Sequence, residues 1–384
     1  MRDLRIAGGT VLLDRDGLVK ADLGVRDGLI AAGTSRPGTG LLFDATGLLV
    51  LPGIVDLHGD AFERQLQPRP GVDFVADLAL RDTESQLLAN GITTAFHGVT
   101  LSWEPGLRGL AAWQALLATL QAGSWTCDMR VHLRWEAYNL DALKTALGDI
   151  AAGRVHLVAF NDHTPSILKK LKDPVEGAKY SARAGMTFDA YLAMADAVAL
   201  RKEEVPAGLD RIAAAARDAG LAMASHDDDS IAVRDGFRAR GARICEFLVS
   251  EEVARAAVEA GDDVAMGCPN VVRGGSHLGW ASAARMVEAG VCTVLTSDYY
   301  YPAMMQAAFV LAERGAVDLA TAWSLISKNP ARAAGLFDRG VIEAEQRADL
   351  VVVDPRTRRA LLTLAGGRVA HATAEGHVRL SADG

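Results

Sequence analysis

The feature that most constrains the fold of this chain is a series of eight short apolar segments with helix-like stretches between them. The apolar segments, interpreted as β-strands, lie at 53–58, 92–97, 129–135, 155–161, 221–225, 243–248, 263–267 and 291–296. The helix-like stretches include 76–90, 107–122, 189–203, 208–219, 251–260 and 279–289. Strands that alternate with helices are typical of parallel sheets. Eight such units favour a closed (β/α)8 barrel of the TIM type over the alternative, an open doubly wound sheet.

Both ends of the chain have a different pattern, in which short apolar runs alternate with Gly and Asp turns. Residues 5–13, 21–25 and 29–31 show it at one end, and residues 348–354 and 361–370 show it at the other. Such runs are typical of small antiparallel sheets. We therefore predict an α/β protein in which residues 1–50 plus 340–384 form a small β-sandwich domain and residues 51–339 form the barrel.

Composition narrows the class of protein. Half of the 384 residues are hydrophobic, which supports a large core and argues against disorder. The net charge of −8 argues against general nucleic-acid binding, and no apolar run could span a bilayer. The start of the chain lacks a signal-peptide pattern, and the four cysteines are far apart with no CxxC pair. We expect a cytoplasmic protein with reduced thiols and no nucleic-acid or membrane partner, while a homo-oligomer stays open.

One predicted strand ends in two side chains that can bind a metal ion, His58 and Asp60. Residues two apart in a strand point to the same side, so both can reach one ion. Imidazole with carboxylate suits zinc, manganese or iron. On this fragment alone, the alternative that both residues cap the strand and bond to a loop stays open.

Other predicted strands end in the same residue types, namely His97, Glu136, His163, His226, Glu246 and Asp298. The active sites of (β/α)8 enzymes lie at this face of the barrel. Clustered carboxylates and imidazoles are unfavourable unless a cation joins them. We therefore predict a metal-dependent hydrolase with one or two divalent ions, zinc before manganese or iron. Glu136 would bridge two ions, and Asp298 would be the catalytic base for the attacking water.

Several of these assignments have alternatives. His97 could order a loop, His163 could contact substrate instead of metal, and Glu246 could orient a ligand. The acidic run at 227–229 is typical of a solvated loop, and His132 is typical of a core residue.

Basic residues near the strand ends predict an anionic substrate. Candidate substrate contacts are Arg64, Arg69, His97, Lys179, Arg273 and His277. Arginine grips phosphate oxygens with a fork of donors, and lysine supplies a point charge. Arg273 precedes two glycines, which let backbone N–H groups approach an anion. The alternative for the Lys-rich stretch is a solvated face.

The chain resembles the amidohydrolase superfamily over nearly its whole length. Residues 51–58 resemble its first-strand signature, and residues 329–332 with 340–352 resemble its C-terminal return to the small sheet. The resemblance implies metal ligation by His58, Asp60, Glu136, His226 and Asp298. Asp60 stands where the signature has a second histidine, and the sixth-strand histidine is missing. His163 is a candidate to replace it.

A narrower resemblance is to the branch of this superfamily that acts in phosphonate catabolism. It rests on residues 58–65, 68–72, 90–106, 162–165 and 269–277. It implies a diphosphatase that hydrolyses a phosphorylated sugar phosphonate, α-D-ribose 1-methylphosphonate 5-triphosphate, to the 5-phosphate and pyrophosphate. Residues 164–170 depart from this pattern, so the substrate range could differ. Two rival hypotheses are a C–N bond hydrolase (amidase, cyclic amidase or deaminase) and a scaffold subunit of a lyase assembly.

Overall fold

A computed structural model of the chain describes residues 3–32, 40–69, 71–275 and 282–382. The strands of these residues form two sheets. They are β1 (Asp3–Leu13), β2 (Gly17–Arg26), β3 (Leu29–Ile30), β4 (Gly40–Asp44), β5 (Leu49–Pro52), β6 (Ile54–Gly59), β7 (Ile92–Leu101), β8 (Asp128–Glu136), β9 (Leu157–Asn161), β10 (Ala222–His226), β11 (Ile244–Glu246), β12 (Asp263–Gly267), β13 (Val294–Thr296), β14 (Leu350–Asp354), β15 (Arg359–Ala365), β16 (Arg368–Ala372) and β17 (Leu380–Ala382).

The helices lie mainly between the strands of the second sheet. They are α1 (Glu63–Leu66), α2 (Ala76–Ala89), α3 (Leu110–Ala122), α4 (Leu143–Ala151), α5 (Thr164–Lys170), α6 (Pro174–Arg183), α7 (Phe188–Ala199), α8 (Val205–Asp218), α9 (Ile231–Ala239), α10 (Glu251–Glu259), α11 (Cys268–Arg273), α12 (Ala283–Glu288), α13 (Ala303–Glu313), α14 (Leu319–Ser324), α15 (Lys328–Ala333) and α16 (Ala374–Val378). Within the described ranges, every helix is too short or too polar to cross a bilayer.

Strands β6 to β13 form a parallel barrel in which neighbours in sequence are neighbours in space. The last strand returns to the first through a bridge between Gly59 and Asp298, and the backbone N–H of Asp298 donates to the carbonyl of His58 over 2.9 Å. Apolar side chains such as Leu57 and Phe96 fill the barrel interior. The eight strands correspond to the eight predicted apolar segments, so the predicted (β/α)8 barrel is confirmed.

The remaining nine strands form the second sheet, which is built from both ends of the chain as predicted. Strand β1 pairs with β4 along its first half and with β5 along its second, on either side of a bulge between Ile6 and Gly9. Gly8, inside this bulge, has φ +74°, a conformation that favours glycine. The N-terminal part of the small sheet ends at Pro52, the barrel begins at Ile54, and the small sheet resumes at Leu350. The exact domain boundaries stay a prediction.

The N-terminal ends of the barrel strands, here called the barrel bottom, carry paired charges. Arg339, from the segment that returns to the small sheet, is 5% exposed and donates to Asp128 at the start of β8 over 2.6 Å. The same Nη1 donates to Thr94 over 2.9 Å, and Arg130 also pairs with Asp128 over 2.9 Å. These contacts tie the C-terminal segment to the barrel.

Helices α5, α6 and α7 follow the fourth barrel strand and form a small cluster of their own. Ile167, Leu171, Tyr191 and Ala195 are its buried apolar residues. Trp103, in the loop after β7, donates to Thr164 over 3.0 Å and so fixes this cluster beside the C-terminal ends of the strands.

Candidate active site

Ionisable side chains converge at the C-terminal ends of the barrel strands, here called the barrel mouth. The mouth residues are His58, Asp60, Arg134, Glu136, His163, His226, Glu246 and Asp298. Each lies at the end of its strand or within two residues of it. Because parallel strands end at one face of a barrel, positions that are far apart in sequence meet here.

His58 forms the deepest part of the mouth. Its Nδ1 lies 2.9 Å from Oε2 of Glu246, and both side chains are 1% exposed. Burial lowers the pKa of His58 well below its usual value, and the positive charge of Arg134 lowers it further. The imidazole is therefore neutral, and its Nδ1–H donates to Glu246. A Cβ atom at Gly98 would lie 3.3 Å from Nε2 of His58, so the glycine leaves space beside the nitrogen that is free to act as a ligand.

His163 and Asp227 form a second group. Nδ1 of His163 lies 2.5 Å from Oε1 of Glu136, and its Nε2 lies 3.6 Å from Oδ2 of Asp227. Asp227 also contacts Nδ1 of His226 over 3.0 Å. Burial alone would lower the pKa of His163, but the bonds to Asp227 and Glu136 raise it to about 9. Without a metal ion, His163 is thus an imidazolium held by two carboxylates at neutral pH.

Arg134 lies between these two groups. One guanidinium nitrogen is 3.5 Å from Asp60, and the other is 3.3 Å from Nε2 of His226. The side chain of Arg134 is only 7% exposed. Water therefore screens its charge weakly, and the charge acts strongly on neighbouring groups. Asp298 adjoins Asp60. The backbone N–H of Asp60 donates to the backbone carbonyl of Asp298 over 2.9 Å. Burial, followed by the charge of Asp60, raises the pKa of Asp298 to about 7.

The backbone at the mouth is strained. Asp227 (φ +59°), Phe247 (φ +55°) and Asp298 (φ +54°) adopt the left-handed region, although none is a glycine. Asp227 directly follows β10, Phe247 directly follows β11, and Asp298 lies two residues after β13. Such conformations cost free energy and concentrate at functional sites, where the surrounding structure holds them.

Two of the predicted basic residues meet at the mouth. The guanidinium of Arg64 lies 5.8 Å from the centre of the Tyr299 ring, and Nη1 of Arg273 lies 3.3 Å from the hydroxyl of the same tyrosine. Tyr299 directly follows Asp298, so both arginines are next to the acidic cluster. Their guanidinium groups could therefore contact an anion bound there.

The other predicted substrate contacts lie elsewhere. Arg69 is exposed in a short bridge with Val72, and Lys179 is exposed on α6 and pairs with Glu176 over 2.6 Å. His97 is 1% exposed and packs against Phe62, and burial lowers its pKa to about 4. His277 lies outside the described residues. Substrate contact by these four residues stays a prediction.

Comparison with known proteins gives the family. The model of the amidohydrolase family matches residues 49–377. The alpha-D-ribose 1-methylphosphonate 5-triphosphate diphosphatase of Escherichia coli (strain K12) is 32% identical over 345 residues, which cover 87% of this chain and 91% of that protein. The chain belongs to the amidohydrolase family.

Solved structures of other proteins share the fold. An amidohydrolase from an environmental sample of the Sargasso Sea has a TM-score of 0.64 at 17% identity, with 96% of this chain and 93% of that chain covered. A β-aspartyl dipeptidase from Fervidobacterium islandicum AW-1 has a TM-score of 0.62 at 14% identity, with 96% and 97% covered. At these identities the likeness concerns the fold alone, whereas the family match and the Escherichia coli relative confirm the predicted superfamily.

Amidohydrolases typically bind divalent metal ions, and the mouth of this one fits such an ion. His58, His226 and Glu246 can bring one ligand atom each within 4.8 Å of one another, and so can His163, His226 and Asp227. Oε1 of Glu246 is buried without a hydrogen-bond partner among the described residues. A buried, unpaired carboxylate oxygen is costly, and a cation would satisfy it. The neutral imidazole of His58 also suits metal ligation.

The structure adds two residues, Asp227 and Arg134, to those expected at the mouth, and it shows the contact made by the expected Glu246. Asp227 contacts two histidines, Glu246 contacts His58 directly, and Arg134 links the two groups. The position of Arg134 is predictable from the sequence, because it lies two residues before Glu136 and therefore on the same face of the strand. Both oxygens of Glu136 contact His163. Its role as a bridge between two ions stays a prediction.

Proposed function

We propose that this amidohydrolase hydrolyses α-D-ribose 1-methylphosphonate 5-triphosphate to the 5-phosphate and pyrophosphate in phosphonate catabolism. The observation that carries the proposal is the meeting of a metal-binding cluster with arginines at one barrel mouth. Arg64 and Arg273 flank Tyr299, next to Asp298, and Arg134 lies inside the cluster. A neutral amide would bring no negative charge to these cations, whereas phosphoryl oxygens would pair with them. The 32% identity to the Escherichia coli diphosphatase supports the same reaction.

The proposed metal ligands are of two kinds, histidines and further carboxylates. His58, His226 and His163 would hold one or two divalent ions, zinc before manganese or iron, with Asp60, Glu136 and Asp298 as further ligands. A bound divalent ion would activate water and polarise a phosphoryl oxygen. Glu246 would fix the orientation of His58 through the hydrogen bond to Nδ1.

The residues of the chain would then control the protons and the leaving group. An oxygen of water forms a bond to the α-phosphorus, and the bond from that phosphorus to the bridging oxygen breaks. The bridging oxygen leaves with its electron pair as part of pyrophosphate. Asp298, which lies beside Asp60 at the mouth, takes one proton from the water. Arg64 and Arg273 hold phosphoryl oxygens during this transfer.

Phosphorus NMR of the purified protein tests the proposal. The protein is incubated with the ribose-phosphonate 5-triphosphate and with zinc, manganese or iron in separate samples. Pyrophosphate and a 5-monophosphate appearing in equal amounts would support it. Intact triphosphate in every sample, with hydrolysis of an amide or cyclic amide instead, would favour the C–N hydrolase. An intact triphosphate with no amidase activity and no bound metal would favour a scaffold role.

The location of the reaction follows from the substrate and the thiols. The four cysteines are free and buried, which fits the reducing cytoplasm. A cytoplasmic site is therefore part of the proposal.

A further inference from the structure

A separate cavity of about 220 Å³ lies beside the barrel mouth. Its charged and polar lining residues are Glu63, Arg64, Gln67, Glu104, Arg108 and Arg183. The three arginines come from three separate elements: α1, the loop after β7, and the last residue of α6. Of the three arginines, only Arg64 is predictable from the sequence, because the loop after β7 and the end of α6 carry no motif that links them to the strand ends.

Carboxylates hold two of these arginines in place. Nε and Nη2 of Arg108 donate to the two oxygens of Glu63 over 3.2 and 3.0 Å. Nη2 of Arg183 donates to Glu104 over 2.7 Å, and the hydroxyl of Tyr191 donates to the same oxygen over 2.6 Å. A guanidinium has five N–H donors, so the pair of bonds to Glu63 leaves three donors of Arg108 for a ligand. The arginines are thus fixed before a ligand arrives.

The cavity carries an excess of positive charge. Three arginines against two glutamates leave a formal charge of one positive unit. Arg64 makes no ion pair with any residue in the described ranges, and its guanidinium packs near the Tyr299 ring. The positive charge of Arg64 favours the ionised forms of Asp60 and Asp298, so Arg64 lies on the side of the cavity that adjoins the mouth. The backbone N–H of Glu63 donates to the carbonyl of Asp60 over 3.0 Å.

We infer that this cavity binds the two terminal phosphates of a triphosphate ester, the part that leaves as pyrophosphate. The inference rests on the proposed function and extends it to Arg108 and Arg183. A single carboxylate or phosphate needs one arginine fork, whereas three arginines on different elements suit a longer, multiply charged anion. With the α-phosphate at the mouth, the next two phosphates would extend over α1 into the cavity.

Binding of inorganic pyrophosphate to the metal-loaded protein tests this site. Isothermal titration would compare the wild-type protein with Arg108→Gln, Arg183→Gln and a charge-matched control, Arg255→Gln. Arg255 is exposed on α10 and pairs with Glu251. Loss of one charged contact should weaken pyrophosphate binding about 10- to 100-fold in the two cavity variants and leave the control unchanged. Arg108→Lys keeps the charge but not the fork, so it should restore binding in part.

A second readout separates this site from the reaction. Binding of inorganic phosphate, which has one phosphoryl group, should change much less in the cavity variants than binding of pyrophosphate. Arg-dependent pyrophosphate binding without triphosphate hydrolysis would support the cavity and contradict the proposed reaction. Triphosphate hydrolysis with pyrophosphate binding unchanged in Arg108→Gln and Arg183→Gln would overturn the cavity and leave the reaction standing. Absence of pyrophosphate binding in the wild-type protein would also overturn the cavity.

Discussion

The two ends of the barrel differ in how completely their charged groups are paired. At the bottom, Asp128 is paired with both Arg130 and Arg339, and Arg339 also bonds to Thr94. At the mouth, one oxygen of Glu246 is buried without a hydrogen-bond partner among the described residues. Paired charges at the bottom stabilise the fold, whereas unpaired groups at the mouth cost stability and are available to a ligand.

Backbone conformation shows the same contrast. Within the barrel, the described non-glycine residues with positive φ are Asp227, Phe247 and Asp298, which lie at the mouth, whereas Asp27, Glu345 and Arg358 lie in turns of the small-sheet segments. The bottom residues Asp128 and Arg339 are not among the non-glycine residues with positive φ in the described ranges. Strain and unsatisfied groups in one place indicate that the mouth is shaped for chemistry at the expense of stability.

The largest expected effect comes from a change at the mouth, Asp298→Asn. An amide cannot take a proton from water, so kcat should fall by on the order of 10²- to 10⁴-fold. Burial raises the pKa of Asp298 to about 7, so the ionised carboxylate is disfavoured in the folded state. At pH 8 the amide should therefore raise the free energy of unfolding of the chelator-treated protein. Urea unfolding and the triphosphate assay measure both quantities.

The control for this variant is Asp338→Asn. Asp338 is 58% exposed and pairs with Arg339 at the bottom, so kcat should stay the same. A folded Asp298→Asn protein with normal kcat would remove Asp298 from the catalytic residues. A less stable Asp298→Asn protein would contradict the proposed trade of stability for function at the mouth.

The next effect concerns the bottom, where Arg339→Met removes a nearly buried cation. Asp128 loses its 2.6 Å partner but keeps Arg130, so the free energy of unfolding should fall by about 1–3 kcal/mol. The kcat of the folded fraction should not change. Denaturant unfolding and active-site-normalised kinetics would check this. Normal stability with a large loss of kcat would contradict the division between bottom and mouth.

The pH dependence of stability offers a smaller test at Asp128. Burial by itself would raise the pKa of this carboxyl, but Arg130 and Arg339 hold it below its usual value. Its contribution to stability is therefore complete above about pH 4 and is lost as the pH falls through the lower, folded-state pKa. The difference in unfolding free energy between wild-type protein and Asp128→Asn should shrink below about pH 4. Urea titrations from pH 3 to 6 would show this, and a constant difference would refute it.

The smallest effect is expected in thiol labelling. Cys268 follows β12 at the mouth, whereas Cys127 precedes β8 at the bottom, and both are buried. Burial raises the pKa of both thiols well above the usual value. Neither should react quickly in the native protein, but the strained mouth should open more readily than the bottom. Mass spectrometry after timed alkylation should show Cys268 labelled several-fold faster, and the reverse order would contradict the comparison.

The sequence predicts the barrel well because its signal is periodic and local. Alternating apolar and helix-like segments place all eight strands, and the residue at each strand end then follows from the parallel arrangement. His58, His226 and Asp298 are therefore found at the mouth as expected.

Contacts between distant segments are less predictable. Asp227 lies in an acidic run that is typical of solvated loops. In the structure it adopts a left-handed backbone conformation and contacts His163 and His226, which place it in the site. Arg108 and Glu104 lie in the same loop, and Glu104 accepts a hydrogen bond from Arg183. This contact makes Arg108 and Arg183 neighbours. No periodic pattern in the sequence encodes such a meeting of loops.

Hydrolysis in ¹⁸O-enriched water tests the central claim most directly, because it reports which phosphorus atom the mouth presents to water. The ribose-phosphonate 5-triphosphate is hydrolysed by the metal-loaded protein, and phosphorus NMR then reads the isotope shift in each product. The account predicts ¹⁸O in the 5-phosphate and none in pyrophosphate. Label in pyrophosphate, or release of inorganic phosphate instead, would contradict attack at the α-phosphorus and the placement of the terminal phosphates beside the mouth.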